Sequence, residues 1–396
     1  MTLKYYQMFV AGTIFAIFFT NLPMFLFLTG ILPIRPVVWV LVIGVASLPI
    51  VFLKEHKLTQ SSIMVIIWCF AFLLISIAWF FPSTQSSIAL QELETRVRAV
   101  LFLIITMFIL GQEDAQTWAR RVILIAVLLA VITNLYEVFD PYFFVQEDNE
   151  FFKLGRSAGF YINPNGAASA IFIGMIFSIG ILREKYRVPF SLFCLLGILT
   201  TVSRAGILMW IIVNIICLKQ GLIKPKMLFR TIVFLFIITI FTIPFWADLE
   251  RVYADQIAIS AESFERIFIS SDSLDTDLSA NERNDVLRLG WKMFLESPLI
   301  GNGIASTLEW EYRSSTHNMY LTFMVDHGFI GVLILPFLVY VLTWHARGEA
   351  KLIAISFSIT ILIFAFFNHN SIDGHLYLLS YSLMAAMSET SQRNYN

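Results

Sequence analysis

Apolar runs close to the ~20 residues that cross a bilayer as a helix recur along this chain and leave little room for a soluble fold. They fall at about 6–30, 36–53, 61–81, 97–111, 117–139 and 164–182, then at about 188–202, 205–218, 229–247, 317–343, 351–367 and 372–388. With 58% hydrophobic and only 14% charged residues, the composition excludes an ordinary soluble domain. The expected fold class is an all-α polytopic membrane protein of about twelve transmembrane helices, an even number that puts both termini on one side. The first run follows Lys4 without a small-residue cleavage site and reads as an uncleaved span. Cys69, Cys194 and Cys217 each lie inside an apolar run and read as small buried hydrophobes, not as a disulfide or metal framework. A net charge of −1 points to no partner class, and no nucleic acid is expected.

The basic residues set the orientation. Lys54, Lys57, Arg120, Arg121, Arg183, Lys185, Arg187, Lys219, Lys224, Lys226, Arg230, Arg347 and Lys351 fall on one set of connections. The alternate short connections hold only Arg35, Arg96, Arg98, Lys153, Arg156 and Arg204. Cytoplasmic loops collect Lys and Arg, so the first set and both termini are expected in the cytoplasm. The domain reading is then 1–247 with the first nine or so spans, 248–316 as an outer loop carrying the reactive residues, and 317–396 with the last three and a short cytoplasmic tail.

The outer face gathers the chemistry. The long loop holds Arg251, Arg266, Arg283, Arg288 and Arg313, and ends at His317-Asn318, where the next apolar run opens. Asn284 to Glu296 has helical spacing, with Arg288 and Lys292 one turn apart, and reads as an amphipathic helix on the outer membrane surface with Arg283 in its first turn. The bland reading of its basic residues is contact with lipid phosphate. Pro298 ends that helix, and Gly301 and Gly303 let the backbone turn back sharply. Asn163-Pro164 is a helix start, with an N-cap acceptor and a preset φ. Arg156 alone could be an interfacial arginine snorkelling to headgroups, and Arg204 alone a topological anchor; several arginines on one face point instead to a shared anion. Asp275 and Asp277 have the spacing of a metal-binding pair but lie in a Ser/Asp run that reads as a solvated loop, so no metal is expected.

His317 follows Ser314-Ser315-Thr316, which are good capping residues. A histidine in the first turn of a helix feels the positive dipole end and stays neutral, as a general base must. Its bland alternative is an interfacial histidine with no chemistry. His327, His345, His369 and His375 fit that alternative better, since His345 is cytoplasmic and the others lack an arginine-rich neighbourhood.

Together these residues resemble the O-antigen ligase-related family of bacterial membrane glycosyltransferases, which includes O-antigen ligases and polymerases. The resemblance rests on Arg156-Ser157-Ala158-Gly159 leading to Asn163-Pro164-Asn165-Gly166, and on Ser203-Arg204-Ala205-Gly206. It continues with Arg283 ahead of Pro298-Leu299-Ile300-Gly301-Asn302-Gly303, then His317-Asn318-Met319-Tyr320 and Gly328-Phe329-Ile330-Gly331. It covers about 155 to 345, and the helices before it are similar only in hydropathy.

The resemblance implies a GT-C-like fold with a large periplasmic loop containing short amphipathic helices, in the bacterial inner membrane. It implies transfer of a glycan from undecaprenyl diphosphate to a sugar hydroxyl, without metal or other cofactor. The acceptor is lipid A-core for a ligase, the first reading, or a second lipid-linked glycan for a polymerase. The family's arginines fall on Arg204, Arg283 and Arg156, and its histidine on His317; Arg288 joins them by helical geometry, and Asn318 as an acceptor-positioning neighbour. Arginine forks stabilise a diphosphate leaving group without a metal, and a histidine activates the attacking hydroxyl. A transporter or flippase is the rival class. Its sites would lie near the midplane between repeated halves, and neither an internal repeat nor a central charge pathway is evident.

Overall fold

The structure is a computed structural model that describes residues 3–53, 59–144, 155–231, 233, 278–310 and 316–395. Every regular element among them is a helix. In chain order these are α1 (Leu3–Ile14), α2 (Leu22–Leu28), α3 (Pro36–Leu53), α4 (Gln60–Phe80), α5 (Ser87–Ile109), α6 (Glu113–Phe139), α7 (Pro164–Ser178), α8 (Glu184–Thr200) and α9 (Arg204–Lys219). Then come α10 (Leu278–Glu296), α11 (Met319–His327), α12 (Phe329–Thr343), α13 (Gly348–Phe364) and α14 (His375–Tyr395).

Side-chain caps set several of the starts. Thr59 opens α4 with a capping box to Ser62, and Ser203 Oγ accepts from Gly206 N at 3.2 Å ahead of α9. Asn163 Oδ1 accepts from Asn165 N at 2.9 Å, with Pro164 at the first helical position, as the sequence predicts. Ser86 caps α5 through Ile88 N and Ala89 N, so this helix begins well before the apolar run expected at about 97–111. Its first turns carry Glu92, Glu94, Arg96 and Arg98, which hid it from a hydropathy reading. Arg96 and Arg98 are therefore helical, not part of a short connection, and Arg96 is buried.

Among the described residues three helical segments, Gln60–Phe80, Glu113–Phe139 and Pro164–Ile181, are long and apolar enough to cross a membrane. The bent pair formed by Leu3–Phe19 and Leu22–Leu28, at 45°, passes the same test together. The apolar stretches Pro36–Phe52 and Phe329–Thr343 are shorter. The run expected at about 317–343 is not one span: it breaks at Gly328 into α11 and α12. Most of the run expected at about 229–247, the Asp275/Asp277 pair, Arg251, Arg266 and Arg313 lie outside the described residues.

The chain divides into two compact units. One comprises Met1–Ala11, Val40–Gln116 and Ser271–Asn396; the other comprises Gly12–Trp39 and Thr117–Ser270. In the first, α4, α5, α12 and α14 surround fully buried Phe72, Leu103 and Tyr381, and the Tyr381 hydroxyl donates to Ser371 O at 2.6 Å. In the second, α7 is buried on nearly all sides against α8 and α9. Its small residues allow close approach: a Cβ on Gly174 would run into Val127 of α6.

Candidate functional site

In the first unit the elements that bear the sequence-predicted residues meet at one junction, where α10 packs on α11. Phe294 of α10 packs with Leu321 and Val325 of α11, all three buried. Burying side chains of this size contributes about 1.5–3 kcal/mol each. Gly290 makes the approach possible, because a Cβ there would stand 3.1 Å from Leu321 Cδ2 and 3.5 Å from Thr316 Cγ2. The arginine helix thus passes directly beside the residue that precedes His317. Arg288 is exposed on it, two residues before Gly290. The helix starts at Leu278, earlier than expected, so Arg283 lies past its first turn. The Arg283 side chain lies outside what the structure describes.

His317 is not in the first turn of a helix. Asn318 is the N-cap of α11, its side chain accepting from Leu321 N at 3.2 Å, and His317 precedes that cap. Thr316 is not the N-cap, because Asn318 supplies the acceptor in extended backbone (φ −143°); Ser314 and Ser315 lie outside the described residues. His317 itself adopts φ +48°, a left-handed conformation that histidine tolerates better than most residues. The junction is pinned by Met319 N donating to Ala365 O at 2.8 Å and by the Tyr320 hydroxyl donating to Leu362 O at 2.9 Å. Thr316 and Thr322 share a hydroxyl hydrogen bond at 2.6 Å across it.

Two histidines set aside from the sequence have a different standing in the structure. His369, between α13 and α14, makes edge-to-face contact with His317 at 5.3 Å between ring centroids. His327 is fully buried, with Nε2 at 2.8 Å from Arg96 Nη1, so it does have an arginine neighbour. Sequence reasoning missed this because Arg96 was read as lying in a loop.

Gly301 and Gly303 form the expected turn after α10, with φ of +78° and +90°. The turn folds onto the end of α11, where Asn302 N donates to Val325 O at 2.8 Å and Gly303 N to Asp326 O at 3.1 Å.

In the second unit Arg156 and Arg204 lie around one helical hairpin. Arg156 Nε donates to Thr201 O at 3.1 Å and Nη2 to Asn165 Oδ1 at 3.4 Å, while Ser157 N donates to Thr200 O at 2.9 Å. Arg204, exposed, is the first residue of α9 just after Ser203. The loop bearing Arg156 is held by Glu137 of α6, whose Oε2 accepts from both Ala158 N and Gly159 N at 2.7 Å. An unsatisfied buried donor costs about 1–3 kcal/mol, so this carboxylate secures the loop.

Residues 189–336 match the family model Wzy_C, described as O-antigen ligase. Over that segment the chain is similar to the O-antigen ligase family. It is the family that the sequence motifs resemble. No curated protein matches the chain closely enough to count as a relative. That similarity supports a glycan-transferring membrane enzyme of the ligase or polymerase kind.

The matched segment takes in Arg204, Arg283, Arg288, His317 and Asn318 and leaves Arg156 before its start. Gly290 and Asp326 fall within it and Glu137 and Arg96 before it, and none of these four was singled out from the sequence. Only Arg96 carried a signal, its i,i+4 spacing from Glu92. Among the described residues no group of three His, Cys, Asp or Glu side chains is placed to hold a metal ion.

Proposed function

We propose that the protein is a periplasmic-face glycosyltransferase of the inner membrane that moves a glycan from undecaprenyl diphosphate onto a sugar hydroxyl of lipid A-core. The observation that carries this reading is the packing of the arginine helix α10 against the residue next to His317, inside the matched O-antigen ligase segment. In this reading the architecture is GT-C-like, with about twelve spans, both termini cytoplasmic and the 248–316 segment periplasmic.

Arg283, Arg288, Arg204 and Arg156 serve the donor diphosphate. Guanidinium forks bind phosphate oxygens bidentately and stabilise the charge that develops as the diphosphate leaves, so no metal is required. His317 removes the proton from the attacking hydroxyl, and Asn318 positions the acceptor. Attack opposite the diphosphate inverts the anomeric centre. The donor carries its own activation, so no nucleotide enters the reaction.

The lipopolysaccharide profile of a deletion strain tests this. Free core with lipid-linked polymer accumulating is expected of a ligase. Core capped by a single repeat unit would make the protein a polymerase using the same donor, and an unaltered profile would refute both.

A further inference from the structure

Arg96 is an arginine that the proposed reaction does not use, and it is 3% exposed. Its Nε donates to Glu92 Oε1 at 2.9 Å, Nη1 reaches Ser76 Oγ at 3.4 Å and His327 Nε2 at 2.8 Å, and Nη2 donates to Asp326 Oδ2 at 3.1 Å. The Phe72 and Phe323 ring centroids lie 5.7 and 5.5 Å from the guanidinium carbon. Arginine can only donate, so His327 Nε2 is the acceptor and the His327 proton sits on Nδ1. Four of the five N–H donors of this guanidinium are thus directed to protein groups.

The carboxylate it holds has a second task. Asp326, 1% exposed, also accepts from Ala305 N through Oδ2 at 3.3 Å. Asn302 N and Gly303 N donate to Val325 O and Asp326 O, and Phe329 N donates to Pro298 O at 2.9 Å. Asn302 Nδ2 bridges Met293 O of α10 and Val325 O of α11, at 3.2 and 3.1 Å. The end of α11 is thereby sewn to the turn that leaves α10, and Arg96 of α5 anchors the seam.

A buried ion pair is a poor source of stability but a good device for fixing register, because any slip strands a charge. Ionisable groups buried inside a membrane protein are costly and mark a role. We propose that Arg96 and Asp326 are positioning residues for the transfer reaction: their buried pair sets the register of α11 against α10, and so where Asn318 and His317 stand relative to the arginine helix. This rests on the function proposed above. His327 completes the lock as the acceptor that orients the guanidinium.

The test uses the full-length protein in detergent with lipid-linked donor, comparing R96Q, D326N and R96Q/D326N. Each single variant is expected to slow single-turnover transfer at saturating substrates by about 10²-fold, with donor Kd within about twofold of the parent. The double variant leaves no buried charge at position 326 and only the partly exposed Glu92 without its partner, so it is expected to regain melting temperature in part but not rate. Amide exchange at Asn302, Gly303, Ala305 and Phe329 should quicken in both singles while α14 keeps its protection. Singles that transfer at the parent rate, a double variant whose rate returns with its melting temperature, or unchanged exchange at the turn would each overturn the inference. A parent protein that transfers nothing would instead sink the proposed function, and this role with it.

Discussion

The ring of His369 stands edge-on to that of His317, their centroids 5.3 Å apart. Burial, with a smaller push from His317, lowers His369 to about 4. At neutral pH His369 is uncharged, so it adds no positive charge beside the residue proposed to take up a proton. The loop that carries it, held where α11 begins by the Met319–Ala365 hydrogen bond, is part of the junction and not a remote connection.

The lowered His369 has a stability signature. A group depressed on folding contributes stability that is present above its unfolded value, near 6.5, and lost as pH falls through its folded value of about 4. His369→Asn should therefore flatten the fall in melting temperature between those two values, measured in detergent across that range. An acid limb as steep as the parent's would place the loss elsewhere.

Gly290 is expected to tolerate only the smallest addition. An alanine Cβ would stand 3.1 Å from Leu321 Cδ2, the far end of a flexible side chain, and alanine gains about 1 kcal/mol of helix propensity over glycine. Gly290→Ala should melt near the parent temperature. Gly290→Val has a β-branch that must push α10 from Thr316 and Leu321, so its transfer rate should fall at least about tenfold. Melting curves and single-turnover rates on the two variants check this, and equal rates would remove the junction from the mechanism.

Much of this was legible in the sequence, and the losses have physical causes. The Asn163-Pro164 start and the turn at Gly301 and Gly303 were readable because capping and turn chemistry are local. The span at 317–343 was misread because hydropathy does not see a break at Gly328 between two apolar stretches. Arg96 was misplaced because a polar helical turn ahead of an apolar run looks like a loop until its cap, Ser86, is recognised. His327 was dismissed because its partner lies 231 residues away in sequence, beyond any periodicity argument. Asn318 took the cap that the preceding Ser/Thr run advertised. Which of several adjacent capping residues wins is decided by the tertiary seat of Met319 and Tyr320.

Arg204 separates charge from geometry. Arg204→Lys keeps the cation and loses the planar fork, so transfer should drop at least about tenfold if the guanidinium serves the diphosphate. Arg251→Lys, away from the matched motifs, should be nearly silent. The comparison is of transfer rates in the same detergent, and equal tolerance at both positions would return Arg204 to a membrane anchor.

Transfer is expected to survive chelation. If arginines alone stabilise the diphosphate, EDTA should leave the rate of the purified protein with lipid-linked donor within about twofold, because the forks need no metal to bind phosphate oxygens. Loss on chelation, restored by magnesium or manganese, would replace the arginine mechanism with a metal-assisted one.

The assignment of His317 as general base is tested most directly by single-turnover transfer in His317→Ala with saturating donor, alongside donor binding in the same detergent. His327→Ala is unsuitable as a control, since it touches Arg96; His345→Ala serves instead and should keep the parent rate. Removing a general base lowers the rate by ~10²–10⁴-fold while the arginines still hold the donor, so transfer should collapse with donor affinity retained. A His317→Ala protein that transfers within a few-fold of the parent, or that loses donor binding as badly as Arg204→Ala, would show that His317 is not the base.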